Sequence, residues 1–219
     1  MRTYTDHALC TAVTLAGLAA VDKLMISPFV EHKVRKSDIS STRWFLLHFA
    51  ANMLVCVTAA LPLYTAFTDP YNSANSIKYD NDGFFAASSA WPLTLINAVH
   101  VYHMIGGFSL SSADYFHHCL FIPLLGFPGQ VLPWGPGQAA GAFFISGLPG
   151  GLTYLMLALV KLGWMSGIKE KRITANLNSW VRVPGILITA FLVYQAAIYG
   201  NHSLPVWGMV PSMLLGPYK

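Results

Sequence analysis

The chain has few charged residues, since lysine, arginine, aspartate and glutamate together make up 10% of its 219 residues. A soluble globular domain carries about 25%, so this composition excludes an ordinary soluble protein. The hydrophobic fraction is correspondingly high at 54%, with a mean hydropathy of +0.50. Several charge-free runs are longer than the roughly 20 apolar residues that a membrane helix needs. The chain is therefore predicted to be an all-α integral membrane protein.

Cysteine is also scarce. Cys10, Cys56 and Cys119 are odd in number and fall in apolar runs, so no disulfide framework is implied. The formal net charge is +4, but the basic residues lie in short loops rather than on one Lys/Arg-rich face, so nucleic acid is not an expected partner. No internal repeat is evident, and residues 1–219 are predicted to form a single transmembrane helical domain.

The apolar runs predict a bundle of about six transmembrane helices with a short C-terminal segment. The predicted spans are 8–26, 44–67, 84–108, 111–133, 137–163 and 183–199. Residues 204–215 are too short and too proline-broken for a crossing, so they are expected to lie in the interface or to re-enter the membrane. For the first span a secretory signal is the alternative, because LAGLAA at 15–20 resembles a small-residue cleavage site.

Lysine and arginine are unevenly distributed among the predicted loops. Residues 31–43 contain four, residues 68–83 contain one, and residues 164–182 contain four. The positive-inside rule places the two basic loops in the cytosol or its equivalent and residues 68–83 on the opposite side. The short loop between the third and fourth spans is then cytosolic as well. A cavity beside that loop is expected to open toward the cytosolic side.

Histidine is concentrated where the third and fourth spans meet, between residues 91 and 118. This stretch contains four of the eight histidines together with an amide and a carboxylate: Asn97, His100, His103, Asp114, His117 and His118. Ionisable groups are costly at membrane depth and usually face a bundle interior or a wet cavity. His117 and His118 are therefore expected to face the interior, within reach of His100 or His103, while Asn97 is expected to line the same cavity.

Asp114, His117 and His118 stand at i, i+3 and i+4, which places both imidazoles over the carboxylate on one helix face. An imidazole can take a proton from an amine or hydroxyl and return it, and a carboxylate one turn away can orient it and stabilise the imidazolium. These three residues are the predicted catalytic group. The alternative for Asp114 is structural, because Ser111 to Asp114 has the spacing of a capping box.

Other polar residues occur within the apolar runs. His48 and Asn52 are four residues apart on one face of the second span; they are predicted to line the cavity, with a helix–helix hydrogen bond as the alternative. Asp22 is predicted to be interfacial. The GLPGG stretch at 147–151 must bend its helix or allow a close backbone approach.

The sequence DYFHHCLFIPLLG, which contains the histidine pair, resembles the TLC (TRAM, Lag, CLN8) group of polytopic membrane proteins. STRWFLLHFAANM, VYHMIGGFSLSSAD and a lysine-ended fifth helix extend the resemblance over roughly residues 36–185. The group includes ceramide synthases, which transfer a fatty acyl chain from acyl-CoA to a sphingoid amine in the endoplasmic reticulum. The resemblance implies a lipid-handling protein of that membrane, and it carries over Asp114, His117, His118 and Lys161.

Three hypotheses for function follow. The first is a histidine-dependent acyl transfer or related lipid reaction, with acyl-CoA as co-substrate. The second is a non-enzymatic protein that binds membrane lipids or serves as a subunit of a homo-oligomer or a larger membrane assembly. The third uses histidines on facing helices as axial ligands of a haem. No metal site is predicted, because structural zinc sites of this kind usually include several cysteines and only Cys119 stands beside the histidines.

Overall fold

A computed structural model of the chain describes residues 3–73, 79, 83–132 and 135–199, and every regular element in these ranges is helical. The helices, numbered along the chain, are α1 (Tyr4–Lys33), α2 (Lys36–Thr68), α3 (Trp91–Ile105), α4 (112–131), α5 (Pro136–Lys161) and α6 (167–199). A 3₁₀ turn at Pro70–Asn72 follows α2. The predicted interfacial segment 204–215 lies outside the described residues.

Among the described residues, α1, α2, α5 and α6 are long and apolar enough to cross a membrane. This fits a membrane protein, although four is fewer than the six spans predicted. The third predicted span, 84–108, shrinks to the 15 residues of α3. Pro92 occupies the first turn of α3, where its missing N–H costs nothing, and Gly107 with φ of 78° follows its end.

Two helices begin earlier than predicted. α2 begins at Lys36 rather than residue 44, and α6 begins at Gly167 rather than residue 183, so much of both basic loops is helical. Ser166 caps α6, because its side chain accepts a hydrogen bond from the Lys169 amide. Hydropathy detects only the apolar part of such a helix and does not register its charged first turns.

Prolines shape four of the helices in the same way. In each, a wide π-helical turn ends two residues before a proline (Pro28, Pro128, Pro149 or Pro184), and the turns are Asp22–Ile26, Ile122–Gly126, Phe143–Gly147 and Asn178–Arg182. Proline has no N–H and its ring collides with the carbonyl four residues earlier. A wider turn accommodates both effects without ending the helix.

α2 is the central helix and packs against α1, α3, α5 and α6. The GLPGG stretch of α5 lies against it. A Cβ on Gly147 would be 3.2 Å from Cys56 Sγ, and one on Gly151 would collide with Met53 Cε. Of the two outcomes predicted for this stretch, close approach is therefore observed, as is common where small residues line membrane helix contacts.

Asp22, which the sequence predicts to be interfacial, is enclosed by three helices. Its carboxylate is fully buried and accepts hydrogen bonds from Arg43 on α2, through Nε at 3.0 Å and Nη2 at 2.5 Å. Tyr102 Oη on α3 donates at 2.9 Å and Ser27 Oγ at 3.2 Å. Asp22 begins the first wide turn, and its contacts with Arg43 and Tyr102 link α1 to α2 and α3.

Candidate functional site

Five histidines from three helices lie together in the bundle, and we refer to them as the histidine cluster: His48 of α2, His100 and His103 of α3, and His117 and His118 of α4. α3 and α4 form a hairpin joined by residues 106–111, which brings their histidines side by side. His48 reaches the same place from α2, with its ring centroid 6.0 Å from that of His100.

His103 and His118 form the buried centre of the cluster, with exposed fractions of 3% and 2%. His103 Nδ1 lies 3.2 Å from His118 Nε2, and His118 Nδ1 contacts the backbone oxygen of Asp114. A carbonyl only accepts, so His118 Nδ1 must carry a hydrogen, and the neutral ring then accepts at Nε2. His103 Nδ1 is therefore the donor to His118, and His103 Nε2 keeps its lone pair.

A second pair lies nearer the surface. His100 Nδ1 is 2.6 Å from the Ile96 backbone oxygen, so this nitrogen is the donor and Nε2 is the acceptor. His117 Nε2, 3.4 Å away, points at that acceptor. His117 is exposed, in contrast to the predicted interior position, because it stands one residue before His118 and so points about 100° away around the helix.

Asp114 forms the capping box that its spacing from Ser111 allowed. Its Oδ2 accepts from the Ser111 amide at 2.8 Å and from Ser111 Oγ at 2.7 Å, and Ser111 Oγ accepts from the Asp114 amide. In this geometry His118 is oriented by the backbone oxygen of Asp114 rather than by its carboxylate. The carboxylate remains within electrostatic range of His103 and His118.

His48 has an aromatic environment. Its ring stacks on Tyr154 of α5 at a centroid distance of 4.3 Å, and the Trp44 indole meets it edge-on. Trp44 also stacks on His103. Neither ring nitrogen of His48 has a hydrogen-bond partner among the described residues, which is costly for a buried polar group.

The cluster opens to a cleft of about 300 Å³ between the first turns of α2 and the loop that joins α3 to α4. Serine hydroxyls, aromatic rings, one histidine and one carboxylate line it: Ser37, Ser40, Ser41, Trp44, Phe45, His103, Phe108, Ser109 and Asp114. His103 and Asp114 are the titratable groups on this wall. Such a cleft, apolar at its aromatic wall and polar at its rim, suits an amphipathic ligand.

No protein-family model, curated protein or solved structure matches this chain. The resemblance to the TLC group, together with the activity and organelle that it implies, remains a prediction from short sequence patterns. The lysine that it carries over, Lys161, forms an ion pair with Asp38 at 2.6 Å near the cleft rim.

Asn97 and Asn52, both predicted to line the cavity, join helices. Asn97 Nδ2 donates to the Gly126 oxygen at 2.8 Å and to Gln130 Oε1 at 2.7 Å, which ties α3 to the wide turn of α4. Asn52 Oδ1 accepts from Ser146 Oγ at 3.0 Å, in the wide turn of α5. Neither contributes to the wall of the cleft.

Sequence reasoning missed Trp44 and Tyr154. Trp44 could have been found, because it stands four residues before His48 and eight before Asn52 on one helix face. Tyr154 had no comparable signal, since its contact with His48 depends on how closely the glycines of α5 approach α2.

The geometry bears on haem and metal binding. The facing nitrogens of His103 and His118 are 3.2 Å apart and share a hydrogen bond, so this pair leaves no gap for a porphyrin between its rings. Within the described ranges, no group of three or more His, Cys, Asp or Glu side chains is arranged to hold a metal ion.

Proposed function

We propose that the chain is a membrane protein that carries out a histidine-dependent reaction on lipids, with acyl transfer as the best-supported class. One observation carries the proposal: His103 lies on the cleft wall with a lone pair at Nε2, and its Nδ1 donates to the buried His118. An imidazole supported in this way can act as a general base in acyl transfer. The sequence favoured His117 or His118 as the base, whereas the cleft favours His103, with His118 behind it.

The proposed reaction uses an amine or hydroxyl of a lipid acceptor. His103 Nε2 takes the proton as the acceptor attacks the acyl carbonyl of acyl-CoA. The new C–N or C–O bond forms, the C–S bond breaks, and the departing thiolate receives the proton from the imidazolium. His118 accepts the hydrogen bond from His103 Nδ1 throughout, and the Asp114 carboxylate lies near enough to stabilise the positive charge.

Acyl transfer is tested on the purified protein in phospholipid nanodiscs. Labelled oleoyl-CoA is supplied with a sphingoid base, a fatty alcohol or a monoacylglycerol, and products are identified by mass spectrometry. We expect His103→Ala and His118→Ala to lower turnover by about a hundredfold to ten-thousandfold. His32→Ala, an exposed histidine at the end of α1, is the matched control. A wild-type rate in His103→Ala, or no product with any acceptor, would contradict the proposal.

Six membrane crossings are part of the same proposal. α3 is short, but α3 and α4 form a hairpin whose connecting loop lies beside the start of α2, where the Ser109 amide donates to Ser40 Oγ. Crossings by both helices place this loop on the same side as the basic starts of α2 and α6, whereas four crossings without them would leave it on the side of Tyr71. Single cysteines are introduced at Lys36, Lys169, Ser109 and Tyr71 in a cysteine-free background and labelled from outside sealed vesicles. Lys36, Lys169 and Ser109 should label together and Tyr71 oppositely. Labelling of Ser109 and Tyr71 from one face would contradict the six-crossing topology.

Lipid binding without catalysis is the second candidate, and the capping box favours it because the Asp114 carboxylate is already engaged by Ser111. In that case the histidines join helices and the cleft only holds a ligand. Bound lipid extracted from the purified protein, with equal and negligible turnover in wild type, His118→Ala and Asp114→Asn, would favour this candidate.

A further inference from the structure

Arg182 is half-buried against α5, in the wide turn Asn178–Arg182 of α6. Its Nη2 is 3.6 Å from the position that a Cβ on Gly150 of α5 would occupy. Gly150 is about 16 Å along α5 from Lys161, at about 1.5 Å per residue. This is close to the midplane of a hydrocarbon layer about 30 Å thick. A guanidinium at that depth requires a partner.

Few groups among the described residues compensate the positive charge of Arg182. Nη1 donates to Asn178 Oδ1 at 2.8 Å, but the buried Nε has no hydrogen-bond partner. Within the ranges that the structure describes, no carboxylate forms an ion pair with Arg182. The guanidinium stays charged at any ordinary pH and offers a planar fork of donors that matches a carboxylate or phosphate.

A second donor converges on the same point. Asn52 Nδ2 lies 3.0 Å from the Cβ position of Gly150, so the amide and the guanidinium meet above a residue without a side chain. Ser146 Oγ holds Asn52 Oδ1 at 3.0 Å, which fixes the amide with its NH₂ group toward Gly150. The Tyr154 hydroxyl is within electrostatic range of Arg182. Donors converging over a glycine make a cradle for an anion.

We infer that Arg182 and Asn52, which meet above Gly150, bind the carboxylate of a long-chain fatty acid. One guanidinium balances one negative charge, and a carboxylate matches its fork in two parallel hydrogen bonds. A phosphate monoester would bring nearly two charges to the middle of the bundle. The acyl chain of a fatty acid suits the apolar surroundings. The inference stands whether or not the histidine cluster is catalytic.

The test compares oleate with oleyl alcohol, which has the same chain and no charge, on the full-length protein in nanodiscs. We expect the wild type to bind oleate about tenfold or more tightly than the alcohol, as hydrogen bonds to a charged group imply. Arg182→Gln should abolish that preference, and Gly150→Ala should weaken oleate binding by filling the cradle. Arg172→Gln, at an exposed position of α6, should keep the preference.

Three results would overturn the inference. The first is equal affinity of the wild type for oleate and oleyl alcohol. The second is an equal loss of both ligands in Arg182→Gln, which is the signature of a purely structural arginine. The third is displacement of oleate by phosphatidylglycerol at equal concentration, which would assign the cradle to a lipid phosphate. If the wild type shows no turnover while His103→Ala keeps its preference for oleate, only the proposed acyl transfer is contradicted.

Discussion

Two partly buried arginines of this bundle have different surroundings. Arg43 of α2 pairs with the fully buried Asp22, which also accepts from Tyr102 and Ser27. Arg182 of α6 has an amide neighbour and an unpartnered Nε among the described residues. A compensated pair holds helices together, whereas an uncompensated cation adds no such link and is free to bind a ligand. The same residue type is therefore structural at one position and a candidate ligand site at the other.

Wide turns before prolines produce both environments. Asp22 begins one such turn, and Arg182 ends another. Two further wide turns provide the Gly126 oxygen for Asn97 and Ser146 for Asn52. A π-helical turn shifts the register of the following helix, so a polar group there can face a neighbouring helix. In this protein the prolines help determine where polar contacts between helices form.

The largest effect is expected from Asp22→Asn, which leaves Arg43 buried without its counterion. Breaking a buried ion pair on one side typically costs about 3–5 kcal/mol of unfolding free energy. Unfolding in detergent, followed by circular dichroism, measures the loss. Lys23→Gln, at the exposed neighbouring position, is the control. If the two variants unfold alike, the pair with Arg43 does not hold the bundle together.

Tyr102→Phe should cost about 1.5–3 kcal/mol, the usual contribution of a hydrogen bond to a charged group. Tyr154→Phe is its matched partner, because the structure gives the Tyr154 hydroxyl no hydrogen bond among the described residues. Its unfolding midpoint should stay near that of the wild type. Equal losses of stability in the two tyrosine variants would show that the Tyr102 hydroxyl contributes no more than the unbonded Tyr154 hydroxyl. The contact network around Asp22 would then not distinguish Arg43 from Arg182.

Ser146→Ala should lower stability by only about 0.6 kcal/mol, the average for interhelical hydrogen bonds in membrane bundles. It should nevertheless weaken oleate binding, because Asn52 loses the contact that orients its amide. Thermal unfolding and oleate titration are carried out on one preparation. Unchanged oleate affinity would show that Asn52 does not help to bind the carboxylate.

Arg182→Met is expected to cause no loss of stability in the ligand-free protein, because it removes an unpaired charge from an apolar setting. Arg43→Met should instead be destabilising, since it leaves the Asp22 carboxylate buried without its counterion. The comparison uses lipid-stripped protein in detergent. A loss in Arg182→Met as large as that in Arg43→Met would show that Arg182 has a structural partner.

Part of the candidate site could be predicted from spacing. The histidine stretch, the capping box of Ser111 and Asp114, and the shared face of His48 and Asn52 depend on residues close together in sequence. The pairing of His103 with His118 needed only a short hairpin between two helices. The boundaries of α2, α3 and α6 could not be predicted from hydropathy, because hydropathy does not register charged helical turns or a helix start that is defined by a proline.

The amino-acid sequence by itself determined the class of this protein, since helix length and apolarity are local properties of the chain. It also determined which residues were available for chemistry. Tertiary structure alone decided which of them have partners. Asp22 meets Arg43 and Tyr102, while Arg182 meets a glycine, because depth and rotation of each helix follow from packing against the others. Hydropathy counts both arginines alike, and only the neighbouring helices distinguish a neutralised charge from one that remains available to a ligand.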